Sequence, residues 1–580
     1  MKYSDQIGAW LAAAGYTHYF YVGGGNIMHL TESLDRYLKG VPVVHEVAAG
    51  IAAEYFNVIA APAKALALVT AGPGQTNIVT AVSGAWLESR ELLVIGGQVK
   101  TSDLARGQLR SRGIQEIDGV ALMESTTKLS TRLEAPVSAA EFLAMIEPSW
   151  TPRKGPVFIE FPLDVQAAQR DEEPLPAIAP PALPTAGDST IDEVERLWNS
   201  AERPMLLIGG GVEPATVDAL RERLDALALP VMTTYNGADR IDGEAPYYLG
   251  RPNTWGQRSA NIIIQKSDLI VALGTRLGLQ QTGFNWQEFG REATIVQVEI
   301  DAAELAKGHP RTDMAINADA NDFLQRLLDR EIASKPEWLE RARAIRAAVP
   351  RIEAVNNTGE GYLSPYVFIV GLETLTRSDD LVIPCSSGSA FTLSMQLFQQ
   401  KLGQRLITNK SLASMGYGLS GAIGAAIAGN GKRTILIEGD GGFAQNLQEL
   451  GTARINDLNL KMFIFDDQGH ASIRMTQKNY FGGKYLGCDT RSGLGLPAWE
   501  KLFAAWDIPV MRLPVDFTND PEFLERMAGD GLQAFIVPID PEQTYFPKIS
   551  SRVTATGSME SNPIDRMTPE IDYLAEAGIE

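Results

Sequence analysis

The chain has 580 residues, with 71 acidic against 51 basic side chains and a formal net charge of −20, which excludes the cationic excess that nonspecific nucleic-acid binding needs. That length exceeds one ordinary core and points to roughly two to four domains. Two cysteines, Cys385 and Cys488, make no disulfide framework and suit a cytoplasmic protein. Met1 to Asp5 lacks the basic start of a signal peptide, and runs such as Ala65 to Val69 fall well short of the ~20 apolar residues that span a membrane.

The first segment, to about residue 170, alternates strand-like pieces (Tyr19 to Val22, Ala65 to Thr70, Glu91 to Ile95, Val157 to Phe161) with helical ones. His45-Glu46 follows an apolar run and begins an Ala-rich helix through Tyr55. Gly72-Pro73-Gly74-Gln75-Thr76-Asn77 reads as a rigid turn opening a helix. A proline-rich stretch from Glu172 to Thr185 is an extended linker. The second segment, 189–330, contains Pro204 to Ile208 followed by three glycines, Asp268 to Leu273 followed by Gly274, and Ala293 to Ile300. A strand closed by glycines resembles half of a nucleotide-binding fold, and many such turns only join a strand to a helix. A charged, Ala-rich helix is expected from Glu331 to Ala348. The third segment is 360–550. Beyond it lies a tail, 551–580, with weak periodicity, expected to drape over another surface or to be disordered.

Within the third segment, Thr434 to Ile437 and Leu460 to Phe465 read as buried strands, with Ala444 to Ile455 the helix between them. Each strand runs into an acidic turn: Glu438-Gly439-Asp440-Gly441-Gly442 and Asp466-Asp467-Gln468-Gly469. Asp440 and Asp467 are 27 positions apart and sit at the carboxyl ends of two strands in a parallel βαβ unit, where open α/β sheets hold ligands. Oxygen ligands there suit a hard cation such as Mg²⁺, shared with a phosphate. Asp and Gly are also common turn residues, so spacing alone leaves two solvated turns as the alternative.

Gly439-Asp440-Gly441, this gap, and then a pair at 466–467 resemble the signature of thiamine diphosphate enzymes. The whole pattern is similar to their acetohydroxyacid (acetolactate) synthase branch over nearly the entire chain. The resemblance implies an α/β protein of three doubly wound parallel-sheet domains: a pyrimidine-binding domain (1–170), a central domain (189–330) and a diphosphate and Mg²⁺ domain (360–550). It implies Asp440, Asp467 and the Gly469 carbonyl as metal ligands, with Gly439, Gly441 and Gly442 admitting the diphosphate. The family usually has Asn at the position of Asp467, so this chain adds a negative charge there. Glu46 matches the glutamate that meets N1′ of the thiamine pyrimidine and drives it toward the imino tautomer. Met415 matches the apolar wedge between the two thiamine rings. Gly25, Gly72 and Asn77 belong to loops bordering the reacting centre. Gln115 matches a glutamine near the bound intermediate, while His29 and His470 face the same cavity from opposite sides. Arg110 and Arg112, just before Gln115, are candidates to meet an anionic group.

Gly256, Gly274 and Arg276 fall where the branch has FAD-contacting segments, so FAD is a further cofactor implied by the likeness. The activity implied is decarboxylation of pyruvate or a related 2-oxo acid, and transfer of the acyl unit to an acceptor carbonyl. Fine matches at Tyr21 to Leu30, Gly97 to Thr101 and Asp540 to Gln543 resemble a subgroup acting on nucleotide-linked keto-deoxysugars. The alternatives are acetolactate synthase proper, a 2-oxo-acid decarboxylase or C–C hydrolase, and a flavin-linked pyruvate oxidase. A homodimer or homotetramer is implied, with active sites at the subunit interface, small-molecule substrates, and neither nucleic acid nor membrane as partner.

Overall fold

The computed structural model describes residues 1–553, 555–557 and 559–579. Its chain forms two compact units. The first comprises Met1–Pro181, Asp379–Phe391 and Ile407–Pro538; the second comprises Ala182–Ser378, Thr392–Leu406 and Ile539–Glu580.

The first unit holds two parallel sheets. One runs, in spatial order, Lys39–Pro42, Tyr16–Tyr21, Lys64–Val69, Leu92–Gln98, Pro156–Pro162 and Leu129–Arg132. The other orders Leu381–Pro384, Thr434–Gly439, Leu460–Asp466, Gln533–Pro538 and Val510–Arg512, every pairing parallel. Their central strands are buried along nearly their whole length and mostly apolar, as in parallel sheets covered on both faces, with Glu160, Glu438 and Lys461 among the polar exceptions. The edge strands Leu129–Arg132 and Val510–Arg512, which the sequence does not announce, are half-exposed and carry polar residues.

The two sheets meet through helices Glu46–Ala60 and Tyr417–Gly429. Both are rich in Ala and Gly, and their backbones approach so closely that a Cβ on Gly424 would lie 2.1 Å from the Ala52 carbonyl oxygen. A buried polar network seals the contact. Glu54 accepts from Arg90 at 2.7 Å, from Asn409 at 3.1 Å and from the Tyr417 hydroxyl at 3.1 Å.

The second unit is built on one parallel sheet ordered Met314–Asn317, Thr294–Glu299, Leu269–Leu273, Pro204–Ile208 and Val231–Thr233. The described part of the tail packs on this unit: Ile564 is in its core, Met567 is buried, and Asp565 pairs with Arg291 at 2.7 Å.

Three parallel α/β sheets are therefore present, as the sequence implies. Two helices differ from expectation. The Glu331–Ala348 stretch is helical only from Pro336, because proline fits the first helical position and not the interior. The expected helix Ala444–Ile455 is broken: Asp440–Phe443 and Leu450–Ile455 are helical and Leu447–Glu449 is a single 3₁₀ turn. Asn446 causes the break by turning its amide to the Gly416 carbonyl at 2.7 Å. Among the described residues no helix is long and apolar enough to cross a membrane.

Candidate active site

All the thiamine-related candidates fall in the first unit, at the carboxyl ends of its two sheets. In the Leu381–Pro538 sheet, Asp440 begins a helix directly after Thr434–Gly439 and is fully buried. Its carboxylate accepts the Gly441 N–H at 2.6 Å and the Gly469 N–H at 3.2 Å, which ties the two acidic turns together. The His470 ring closes over this edge: a Cβ on Gly441 would stand 2.2 Å from its Nδ1, and 3.3 Å from the Gly469 carbonyl oxygen.

Asp467 is 2% exposed. Its extra charge, relative to the usual Asn, has a local answer. Arg474, seven residues on and itself buried, donates to the Asp467 carboxylate at 2.8 Å and to its main-chain oxygen at 2.9 Å. The other end of the guanidinium is 3.9 Å from Asp489. This arginine was missed by sequence reasoning. Its signal was an Arg placed seven residues after Asp467, on a helix starting at Ala471.

The compensation is incomplete. Burial pushes Asp467 up to about 7 even though Arg474 pulls it down. Burial, then Asp467 and Asp466, drive Asp440 well above the carboxylate range. Glu438, one turn away, is pushed up to about 8 by burial, although the Gly418 and Leu419 N–H groups bond to it. Buried oxygen donors with uncompensated negative charge fit a hard divalent cation, which keeps several non-protein oxygens of its own. Among the described residues no group of three or more His, Cys, Asp or Glu side chains forms a ready-made cage.

In the other sheet, Glu46 opens helix Glu46–Ala60 and is 7% exposed. Its carboxylate accepts from the Asn77 side chain at 2.9 Å, Asn77 being on helix Pro73–Glu88. The backbone before it is clamped from afar. Glu449, fully buried, accepts the His45 N–H at 2.9 Å and the Val44 N–H at 3.2 Å, and is held in turn by Thr452 at 2.7 Å. Sequence reasoning left Glu449 unassigned, since nothing local marks a contact spanning some four hundred positions.

Gly72 adopts φ +63°, and a Cβ there would meet the Gln115 carbonyl oxygen at 2.5 Å. Gln115 is itself at φ +63°, a conformation non-glycine residues seldom hold without reason. The neighbouring Glu116 organises this loop by accepting the Arg112 N–H at 2.7 Å and the Gly113 N–H at 3.0 Å. Arg110 and Arg112 are exposed on it. Gly25 is exposed, and His29 is half-buried on the following helix, Met28–Leu34. Their loop lies against the same turn, because a Cβ on Gly24 would overlap Thr70 at 2.4 Å. Met415 stands 38% exposed, its sulfur accepting from Gln445 at 3.7 Å.

The flavin candidates lie apart, in the second unit. Gly256 is fixed by its own turn, where a Cβ would meet the Asn253 N at 2.3 Å. Arg258, in the same stretch, is taken by Glu353 and by the Met567 carbonyl, and Asn261 contacts Met567. Gly274, at φ +58°, packs 2.8 Å (as a Cβ) from Gly211 at the carboxyl edge of the sheet, and the Arg276 carbonyl accepts from Lys307.

Three family descriptions match: "Thiamine pyrophosphate enzyme, N-terminal TPP binding domain" over residues 1–122, the central domain over 191–327, and the C-terminal TPP binding domain over 386–532. A probable acetolactate synthase large subunit of Methanocaldococcus jannaschii is 31% identical over 83% of this chain and 83% of its own. The acetolactate synthase isozyme 1 and isozyme 2 large subunits of Escherichia coli K12 are 30% and 29% identical, covering 91% and 82% of this chain and 92% and 84% of theirs. The paired acidic turns, the Glu46 helix and these matches agree, and the chain belongs to the thiamine pyrophosphate enzyme family, as an acetolactate synthase-like carboligase.

Proposed function

We propose that the protein decarboxylates pyruvate, or a close 2-oxo acid, and joins the acyl unit to an acceptor carbonyl. The supporting observation is that one compact unit carries both a buried Glu46 oriented by Asn77 and the uncompensated Asp440–Asp467 edge. When bound, thiamine diphosphate supplies the carbon nucleophile and the electron sink. Asp440, Asp467 and the Gly469 carbonyl would hold Mg²⁺ against its diphosphate, with Gly439, Gly441 and Gly442 leaving room for phosphate oxygens. Glu46 would hold the proton at N1′ of the pyrimidine, and Asn77 fixes that carboxylate's direction. Met415 would back the space between the two rings. Gln115, constrained by Gly72 and Glu116, would orient a substrate carbonyl without competing as a base. His29 and His470 would flank the opening.

For the acceptor we favour a nucleotide-linked keto-sugar, on the strength of Arg110 and Arg112, exposed cations on the Gln115 loop. A second pyruvate is the alternative, supported by the names of the acetolactate synthase relatives. Incubation with Mg²⁺, thiamine diphosphate and pyruvate, with CO₂ and products followed by mass spectrometry across acceptors, decides between them. No CO₂ release under any condition rejects the activity itself.

FAD would occupy the carboxyl edge of the central sheet near Gly256, Gly274 and Arg276. Protein that shows no flavin absorbance and takes up none on reconstitution removes that assignment. The assembly would be at least a homodimer, with Glu46 of one copy serving the Asp440 edge of another. Exposed apolar side chains at both edges support this, among them Met28, Val44, Ile114, Ile473 and Phe481. Glu46→Gln and Asp440→Ala proteins, each inactive, should recover activity on subunit exchange; proven exchange without recovery refutes the shared site. Two buried free cysteines fit a cytoplasmic location.

A further inference from the structure

The second unit has a concentration of unmatched charge of its own. A cavity of about 690 Å³ opens between helix Pro336–Ala348, residues 243–259 and residues 396–400. Its wall carries five arginines against three glutamates. Two of the arginines are mated by bidentate ion pairs, Arg258 with Glu353 and Arg351 with Glu373.

Two others are buried or nearly so without a carboxylate. Arg251, 1% exposed, donates to the Met395 and Phe398 carbonyls and to the Gln400 side chain. Arg346 donates to the Tyr248 and Gly243 carbonyls. Carbonyl oxygens satisfy the N–H donors but do not cancel the charge. Burial, opposed by Tyr248 and reinforced by Arg351, Arg251 and Arg343, holds Arg346 below its ordinary value. Arg343, one turn earlier on the same helix, is exposed with no carboxylate partner among the described residues, while the unpaired Glu244 and Glu340 are solvated at the rim. The rest of the wall is apolar, with Pro246, Val349, Leu397 and the Tyr248 ring. The cavity is in the size range of small-molecule sites, with cations at one side and ring-sized apolar surface at the other.

We propose that this cavity binds an organic diphosphate, its phosphates between Arg343 and Arg346 and its body against Tyr248 and Leu397. The site is independent of the catalytic reading and uses none of the thiamine candidates; it adjoins the flavin stretch, whose Gln257, Arg258 and Ser259 line its wall, while its phosphate-facing Arg343 and Arg346 lie outside that stretch. Guanidinium groups suit phosphate oxygens because their planar donors bond in pairs.

The test is calorimetric titration of the holoenzyme, saturated with thiamine diphosphate and at fixed free Mg²⁺, so that its own diphosphate site is filled. Uridine diphosphate is one probe and inorganic diphosphate the other. Uridine diphosphate should bind once per chain, and inorganic diphosphate about 10-fold more weakly because it leaves the apolar wall uncovered. Arg343→Glu, a solvent-facing change, and Arg346→Met should each weaken uridine diphosphate by about 10-fold, with turnover of pyruvate unchanged. The proposal is overturned if no heat appears up to about 1 mM, if Arg343→Glu leaves the affinity unaltered, or if the two probes bind equally.

Discussion

The two units carry buried charge of opposite sign, and in each the mated charges differ from the unmated ones. In the catalytic unit, Glu54 meets Arg90 and Asp380 meets Arg433, whereas Asp440 has only backbone donors and Asp467 shares one arginine. In the central unit, Arg258 meets Glu353 and Arg405 meets Asp239, whereas among the described residues Arg251 has oxygen dipoles and no carboxylate, and Arg346 has oxygen dipoles and the Tyr248 ring. Mated pairs are explained by the fold. On the readings proposed above, the unmated groups would take their counter-ions from outside, a cation at the carboxylates and an anion at the arginines.

The sharpest way to break this comparison is Asp440→Ala. Thiamine diphosphate affinity should lose its dependence on Mg²⁺, weakening by more than about 100-fold, since even groups behind metal ligands are worth 10–100-fold. Calorimetry showing an undiminished metal-dependent affinity would contradict the assignment. Glu46→Gln should lower turnover by ~10²–10⁴-fold, the range of general acid–base catalysis, with cofactor affinity retained. Wild-type exchange of the C2 proton in the bound cofactor would sink that role.

Arg474→Met strips the guanidinium bonded to Asp467 and should reduce the unfolding free energy of the metal-free protein by about 3 kcal/mol, as for one broken buried pair. The Asp467→Asn, Arg474→Met double variant should lie closer to wild type than the sum of the two single changes, because both charges leave together. Urea unfolding of the four proteins gives the coupling; strict additivity would mean that Arg474 does not answer the charge of Asp467.

The smallest effect expected is a change of slope. Glu438 has its folded-state value raised to about 8, so its contribution to stability is complete below its unfolded value and is lost as pH rises through about 8. Metal-free wild type should therefore lose stability between acid and mildly alkaline pH, and Glu438→Gln should flatten that decline. Parallel profiles for the two proteins would remove Glu438 as its source.

The sheets and acidic turns were legible because their signals are local. Thr434 to Ile437 and Leu460 to Phe465 are largely apolar runs that end in acidic turns, the pattern of parallel strands buried on both faces. The helix break at Asn446 was not legible, because the amide could equally have faced solvent; only the Gly416 carbonyl, thirty positions earlier, turns it inward. Glu449 was invisible for the same reason on a longer scale. Whether the tail would drape over a surface or be disordered was not legible because Ile564 and Met567 are isolated apolar residues without a period, and their burial depends on a surface made by the central unit.

The contact between helices Glu46–Ala60 and Tyr417–Gly429 has a consequence for the making of the protein. Tyr417 bonds to Glu54 across 363 positions. At about 5–20 residues per second, a ribosome takes on the order of 20–70 s to supply the second helix after the first. Throughout that interval the nascent Ala- and Gly-rich face of the first helix lacks its native cover, while the central unit is synthesised and can complete most of its own sheet. Contacts so distant in the chain close late. A cell making this protein would gain most from a chaperone that acts on chains between their first and last thirds, and pulse-labelled nascent chains are the place to look for it.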